Sequence, residues 1–167
     1  MHLTATISLV FILTGCATAY QQKSFTGGFS ELQLSENIWK VSFHGNGYTR
    51  SERAEELSLL RCAELTLEKG YTHFGLADSK SGKDLSTITT PTNSYTTGSA
   101  YISGNNIYGR AKTNTYGGQT FLISKPSTTN IIVMFKQKPD EAGMIFDAKF
   151  ICQKIGGKYE VVCGAPG

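Results

Sequence analysis

Charge is scarce in this chain. Only 17% of its 167 residues are Asp, Glu, Lys or Arg, against about a quarter in ordinary soluble domains. The formal net charge of +3 is modest, and Lys and Arg stand scattered with no basic run, so no nucleic-acid partner is expected. No apolar run is long enough to cross a bilayer as a helix; Ile7–Leu13 falls well short of about 20 residues. The His and Cys residues show neither a His-x-x-x-His nor a paired zinc-ligand spacing, which leaves no metal or other cofactor expected. A Gly-x-Ser-x-Gly nucleophile elbow is also missing. Gly, Ser, Thr and Tyr stand in place of charge, and they concentrate in one stretch. The length suits one domain with a real core.

The amino-terminal sixteen residues carry the clearest functional signal. Ile7-Ser-Leu-Val-Phe-Ile-Leu13 has the length of a signal-peptide h-region. It leads into Leu13-Thr-Gly-Cys16, which resembles the lipobox of bacterial lipoproteins. The resemblance implies a signal peptide over residues 1–15, diacylglyceryl (palmitate-type) acylation of Cys16, and cleavage before it. That chemistry needs a thiolate nucleophile preceded by small residues. The likeness departs from the pattern in one respect: His2 is the only basic residue before Cys16. Several acyl chains hold a protein stably on a membrane where one does not. Ala17, where an Asp would retain an enteric lipoprotein in the inner membrane, implies the outer membrane with the domain facing the periplasm. Residues 16–28, small and polar, read as a lipidated tether.

The rest of the chain is organised around Trp39–Asp78. Thr49-Arg-Ser-Glu52 fits a capping box, residues 50–69 are rich in helix formers, and Gly70 stands where a left-handed C′ residue belongs. Trp39–Phe43 alternates like a strand, and Phe74–Ala77 reads as a short buried one. Leu57, Leu60, Ala63 and Leu67 share one helix face, whereas Leu59, Cys62 and Leu65 fall outside it, so the helix should be covered on more than one side. Phe29–Asn37 reads as a transition with Phe29, Leu32 and Leu34 on the core.

Gly28-Phe-Ser-Glu31, Trp39-Lys-Val-Ser-Phe-His-Gly-Asn-Gly-Tyr-Thr49 and Arg61-Cys-Ala-Glu-Leu-Thr-Leu-Glu-Lys-Gly-Tyr71 with Phe74 resemble a family of small bacterial lipoproteins without established activity. The likeness covers about Phe25–Asp78, with a weaker echo at Phe146-Asp-Ala148. It differs at Cys62, where the family usually has Ala. It implies location and fold but no chemistry.

From about residue 80 to 129 the chain becomes a Ser/Thr/Tyr/Gly-rich insertion. Tyr95, Tyr101, Tyr108 and Tyr116 recur at irregular spacing. Disorder with local strand tendency is the favoured expectation; the alternative is a polar hairpin turning at Gly104-Asn-Asn106. Asn130–Phe135 is a buried strand, residues 140–155 an amphipathic helix, with a start at Phe146 as the alternative, stopped by Gly156-Gly157, and Tyr159–Cys163 a closing strand. The expected fold is therefore α+β: a small antiparallel or mixed sheet packed with two helices, in one domain over 29–167.

Once Cys16 is set aside, Cys62, Cys152 and Cys163 allow three disulfide pairings in an oxidising compartment. Cys152–Cys163 closes the shortest loop and would leave Cys62 a buried thiol. The expected function is a non-catalytic binding or structural component of the envelope. Its partners would be the membrane through Cys16, together with envelope proteins or cell-wall polymer. Two alternatives are a periplasmic hydrolase using His44, His73 and Asp78, and an exported adhesive protein using the Tyr-rich insertion.

Overall fold

The structure, a computed structural model, describes residues 17–140 and 143–164; the signal segment, Cys16 and Ala142 lie outside them. The elements are β1 (Gly28–Ser35), β2 (Ile38–His44), α1 (Ser51–Glu68), β3 (His73–Thr89), β4 (Asn93–Ser103), β5 (Asn106–Tyr116), β6 (Thr120–Phe135), β7 (Ile145–Asp147), α2 (Ala148–Ile151), a π-helical turn (Cys152–Gly156) and α3 (Gly157–Tyr159). Five strands form one sheet in the order β1-β2-β6-β3-β7, and β4 pairs with β5 in a second. The sheets are antiparallel, so the fold is α+β. The described chain divides into two compact units, one from residues 17–82 with 125–164, the other Lys83–Ser124. The insertion expected at about 80–129 thus corresponds to the second unit.

Strand register decides what the first unit buries. Phe29 pairs with Phe43 and Phe43 with Thr128; Glu31 with Val41 and Val41 with Asn130; Gln33 with Trp39 and Trp39 with Ile132. Paired residues share a face of a pleated sheet. That face receives α1, whose Leu57, Leu60, Cys62, Ala63 and Leu65 are buried along with Val41, Phe43, Phe74 and Ile132. Each such side chain, fully buried, contributes roughly 1.5–3 kcal/mol for the larger apolar types. The wide apolar surface of α1 is explained by its neighbours: β2 lies on one side and the C-terminal helical segment on another.

The carboxyl end of α1 closes as its sequence indicates. Gly70 takes φ 77°, its N–H donates to the Leu67 carbonyl, and the Tyr71 N–H donates to the Thr66 carbonyl, a Schellman motif. The amino end does not form the expected capping box. Arg50 is the N-cap and makes no side-chain cap bond, because the Thr49 hydroxyl is taken by Thr18 and Asn46. Residues 28–35 form a full strand rather than a transition. Leu32 and Leu34 are about half exposed, since Glu31 and Gln33 occupy the face toward α1.

The insertion also differs from the favoured expectation of disorder. β4 and β5 pair continuously from Asn93↔Tyr116 to Ser103↔Asn106. Gly104 supplies the positive φ of 63° that a two-residue hairpin loop needs at its first position. Low apolar content made disorder attractive, but Ser94–Thr115 and Thr96–Thr113 hydroxyl pairs at 3.1 and 2.9 Å support the ladder without a core. Such cross-strand pairs contribute about 0.2–1 kcal/mol each.

The C-terminal region is re-drawn as well. Residues 145–147 form β7, and the helix begins at Ala148, where the Asp147 carboxylate accepts from the Phe150 N–H at 2.9 Å. Gly156 and Gly157 do not stop it; they lie within it. A Cβ at Gly156 would sit 2.6 Å from the Val161 carbonyl oxygen, so glycine there permits the chain to fold back closely. Residues 159–163 are not a strand. Glu160, at φ 56°, reverses the chain, and Cys163 bonds to Cys152. Cys62 is a buried free thiol. Reducing the disulfide, or replacing Cys163 by Ser, should lower unfolding free energy by about 2–3 kcal/mol through loop entropy. Urea denaturation with and without dithiothreitol measures this, and the C163S protein should be insensitive to reductant.

Candidate functional site

The residues beside the lipobox are built into the fold. Thr18 is buried. Its N–H donates to the Thr49 hydroxyl at 3.1 Å, its hydroxyl donates to the Thr26 carbonyl at 3.2 Å, and it accepts from the Asn46 N–H at 2.8 Å. Tyr20 donates to the Glu64 carboxylate and packs on Phe29, the ring centroids 5.0 Å apart. The expected tether over 16–28 is therefore overturned from Thr18 onward. Its hydroxyls and amides, which read as solvated, satisfy the loop that leads into α1.

Arg61 is the centre of the densest polar cluster. Its side chain is only 10% exposed. The guanidinium donates to Glu31, to Glu64, and through both terminal nitrogens to Glu68 at 2.9 and 3.0 Å, and it lies over the Phe29 ring. Burial alone would ease proton loss from Arg61, but the carboxylates of Glu31, Glu68 and Glu64 reverse that and hold the proton more firmly than usual. Tyr20 is pushed above the ordinary phenol range by burial first and by the Glu64 carboxylate second. Glu64 also accepts from the Gly164 N–H at 3.1 Å. This is a set of mutually paired charges. The spacing Arg61, Glu64, Glu68 is legible as helix neighbours; the roles of Tyr20 and Glu31 are not.

His44, His73 and Asp78 are not brought together. His44 ends β2 opposite Ser127, whereas Thr72, beside His73, bonds to the Phe135 carbonyl. The intervening stretch of β6 covers about 26 Å at ~3.3 Å per residue. His73 lies opposite Asp147, whose carboxylate is engaged at the α2 cap, and its Nδ1 is 2.8 Å from the Thr72 hydroxyl. Asp78 is exposed and pairs with Lys80 at 3.2 Å. The Cys62 thiol is pushed up to about 12 by burial, so it supplies no thiolate nucleophile. Among the described residues no group of His, Cys, Asp and Glu is arranged to hold a metal ion, and no helix is long and apolar enough to cross a membrane.

A shallow cleft of about 310 Å³ opens beside Ala17, lined by Tyr48, Arg50, Glu52, Arg53, Lys158 and Tyr159. On α1 next to it, Glu56 accepts from Lys158 at 2.7 Å and from the Tyr159 hydroxyl, and Arg53 stacks on the Tyr159 ring at 4.6 Å. This pins the last helical turn to α1. No family model, curated protein or solved structure matches the chain.

Two outcomes follow for these clusters. Replacing Arg61 by Ala leaves buried carboxylates without their counter-charge and should cost about 3–5 kcal/mol. Replacing it by Lys should recover little, because one ammonium cannot reproduce the planar fork; urea unfolding of both variants measures this. Burial pushes the Glu56 carboxyl upward, but hydrogen bonds from Lys158 and Tyr159 outweigh it and hold it below its ordinary 4.5. A depressed folded-state value gives stability that is present above the unfolded value and lost as pH falls through the folded one. Acid destabilisation below about pH 4.5 should therefore be shallower in Tyr159→Phe and in Lys158→Gln, as followed by unfolding across a pH series.

Proposed function

We propose that the protein is a lipid-anchored component of the bacterial cell envelope, held in the outer membrane by acylated Cys16 with its domain facing the periplasm. On this reading it acts by binding or as a structural element, not by catalysis. The observation that carries the reading is Leu13-Thr-Gly-Cys16 directly after an h-region. The burial of Thr18 adds a geometric consequence. Only Ala17 separates the anchor from a fixed residue, and each residue spans at most ~3.6 Å, so the tether between the anchored residue and the folded domain is at most about 7 Å of chain. On this reading the anchor is joined to the domain by a short connection, not by the long tether that residues 16–28 suggested.

The non-catalytic part rests on how the reactive groups are disposed. Arg61 and its carboxylates pair with one another, the Cys62 thiol is buried, and His44 and His73 are held apart by the strand order. Membrane fractionation together with intact mass of the mature amino terminus tests the anchor. Wild type should carry acyl mass on Cys16 and sediment with outer membranes, and Cys16→Ala should be unprocessed or released. An unmodified Cys16 in a soluble protein would overturn the reading.

A further inference from the structure

The tyrosines of the insertion are irregular in sequence and ordered in space. Register places Tyr116 opposite Asn93, Tyr95 opposite Asn114, Lys112 opposite Thr97, Arg110 opposite Ser99, and Tyr101 opposite Tyr108. Side chains alternate along each strand and paired residues share a face. All of these tyrosines, together with Arg110 and Lys112, therefore stand on one face of the hairpin. The opposite face carries Ser94, Thr96, Gly98 and Ala100 with Thr115, Thr113, Ala111 and Gly109 across from them, ending in Ile102 and Ile107.

The tyrosine face has a definite layout. The Tyr101 and Tyr108 rings stack at 5.3 Å with planes 18° apart, and Tyr95 and Tyr116 are diagonal neighbours. From Tyr95 to Tyr101 along β4 is about 20 Å at ~3.3 Å per residue, and Arg110 and Lys112 occupy the interval. All the tyrosines are exposed, from 48% at Tyr108 to 65% at Tyr116. Neither β4 nor β5 contains an acidic residue, so the two cations have no carboxylate on their own hairpin. The pattern runs aromatic pair, cation, cation, aromatic pair.

Tyrosine offers a large contact area at low entropic cost. Its electron-rich ring face attracts the polarised C–H face of a sugar, as it attracts other positive edges. Arginine and lysine pair with carboxylate or phosphate. Two aromatic pairs set this far apart suit an extended chain better than a single small molecule.

We propose that this face binds an extended anionic polysaccharide, with sugar rings on Tyr101–Tyr108 and Tyr95–Tyr116 and acidic groups on Arg110 and Lys112. The choice of a glycan over single-stranded nucleic acid, which also stacks on aromatics beside cations, rests on the envelope reading above.

The test uses the mature full-length protein. Its affinity is measured for polygalacturonate, for neutral dextran and for an oligothymidylate. Polygalacturonate should bind best, and more weakly as salt rises. Tyr101→Ser with Tyr108→Ser should weaken it about tenfold or more, the usual size for loss of paired aromatic anchors. Arg110→Gln with Lys112→Gln should flatten the salt dependence; this pair tests the face even where the tyrosine variant disturbs the hairpin. Ile102→Ser with Ile107→Ser, on the opposite face, should bind as wild type. No binding of polygalacturonate, equal loss in the isoleucine variant, or tighter binding of oligothymidylate would each overturn the proposal. The intact mass of the amino terminus separates the two failures. Acylated Cys16 without glycan binding overturns only this inference, whereas unmodified Cys16 removes the envelope reading itself.

Discussion

A single guanidinium sets the terms for the first unit. Arg61 lies on the face of α1 turned toward the sheet, where a charge without partners would be costly. Glu31 from β1, Glu64 and Glu68 from α1 itself, and the Phe29 ring surround it. Glu64 in turn takes the Tyr20 hydroxyl and the Gly164 N–H, so both ends of the described chain are tied to this one place. Buried ion pairs seldom add much net stability over well-packed apolar residues. Their contribution here is better understood as selection: only one register of β1 puts Glu31 within reach of Arg61. A slip by one residue would present Leu32 to the guanidinium and move Glu31 to the far face. The half-exposed Leu32 and Leu34 are the counterpart of that requirement.

The same logic explains what could and could not be read in advance. The body and carboxyl end of α1, the C′ role of Gly70, the strand at Trp39–Phe43 and the buried run Asn130–Phe135 are local signals, set by periodicity and punctuation. They were legible because nothing distant overrides them. The β1 strand, the fixed amino-terminal segment and the altered start of α1 depend on partners far along the chain. Thr49 looked like a cap because it stands three residues before Glu52; it is used instead by Thr18, thirty-one residues away. Gly156-Gly157 looked like a helix stop because two glycines usually are. What requires Gly156 is the close approach of the Val161 carbonyl after the turn at Glu160, which no window of sequence displays.

The candidate sites divide in the same way. Cys152 and Cys163 were legible as the shortest loop among three pairings, and the structure joins them. Histidines 44 and 73 suggested chemistry only by residue type. Their separation follows from strand order, since β6 lies between β2 and β3 and carries them to opposite ends. Asn130 illustrates a signal that was present but not used. The amide that opens the apolar run Ile131–Phe135 is buried with its side-chain N–H donated to Ser58 at 2.9 Å and its oxygen accepting from Ser79 at 2.7 Å, fixing α1 against the sheet through a satisfied polar contact.

The insertion shows why composition misleads about order. Its residues cannot bury enough surface to form a core, and by that criterion alone the segment resembles a disordered linker. A hairpin, however, can be held by backbone pairing and by rows of hydroxyls and aromatics at its surface. Thr and Tyr favour extended backbone, and Gly104 allows the tight reversal. The irregular tyrosine spacing then becomes informative. A spacing of six along β4 keeps Tyr95 and Tyr101 on one face, and the seven residues from Tyr101 to Tyr108 are what a two-residue loop requires to bring them opposite one another. Eight more residues place Tyr116 on the same side. Each interval differs, yet each preserves the face, because parity along a strand and register across the loop are the constraints that matter. Selection for bulk or solubility alone would not need that parity; a surface that presents aromatics together would.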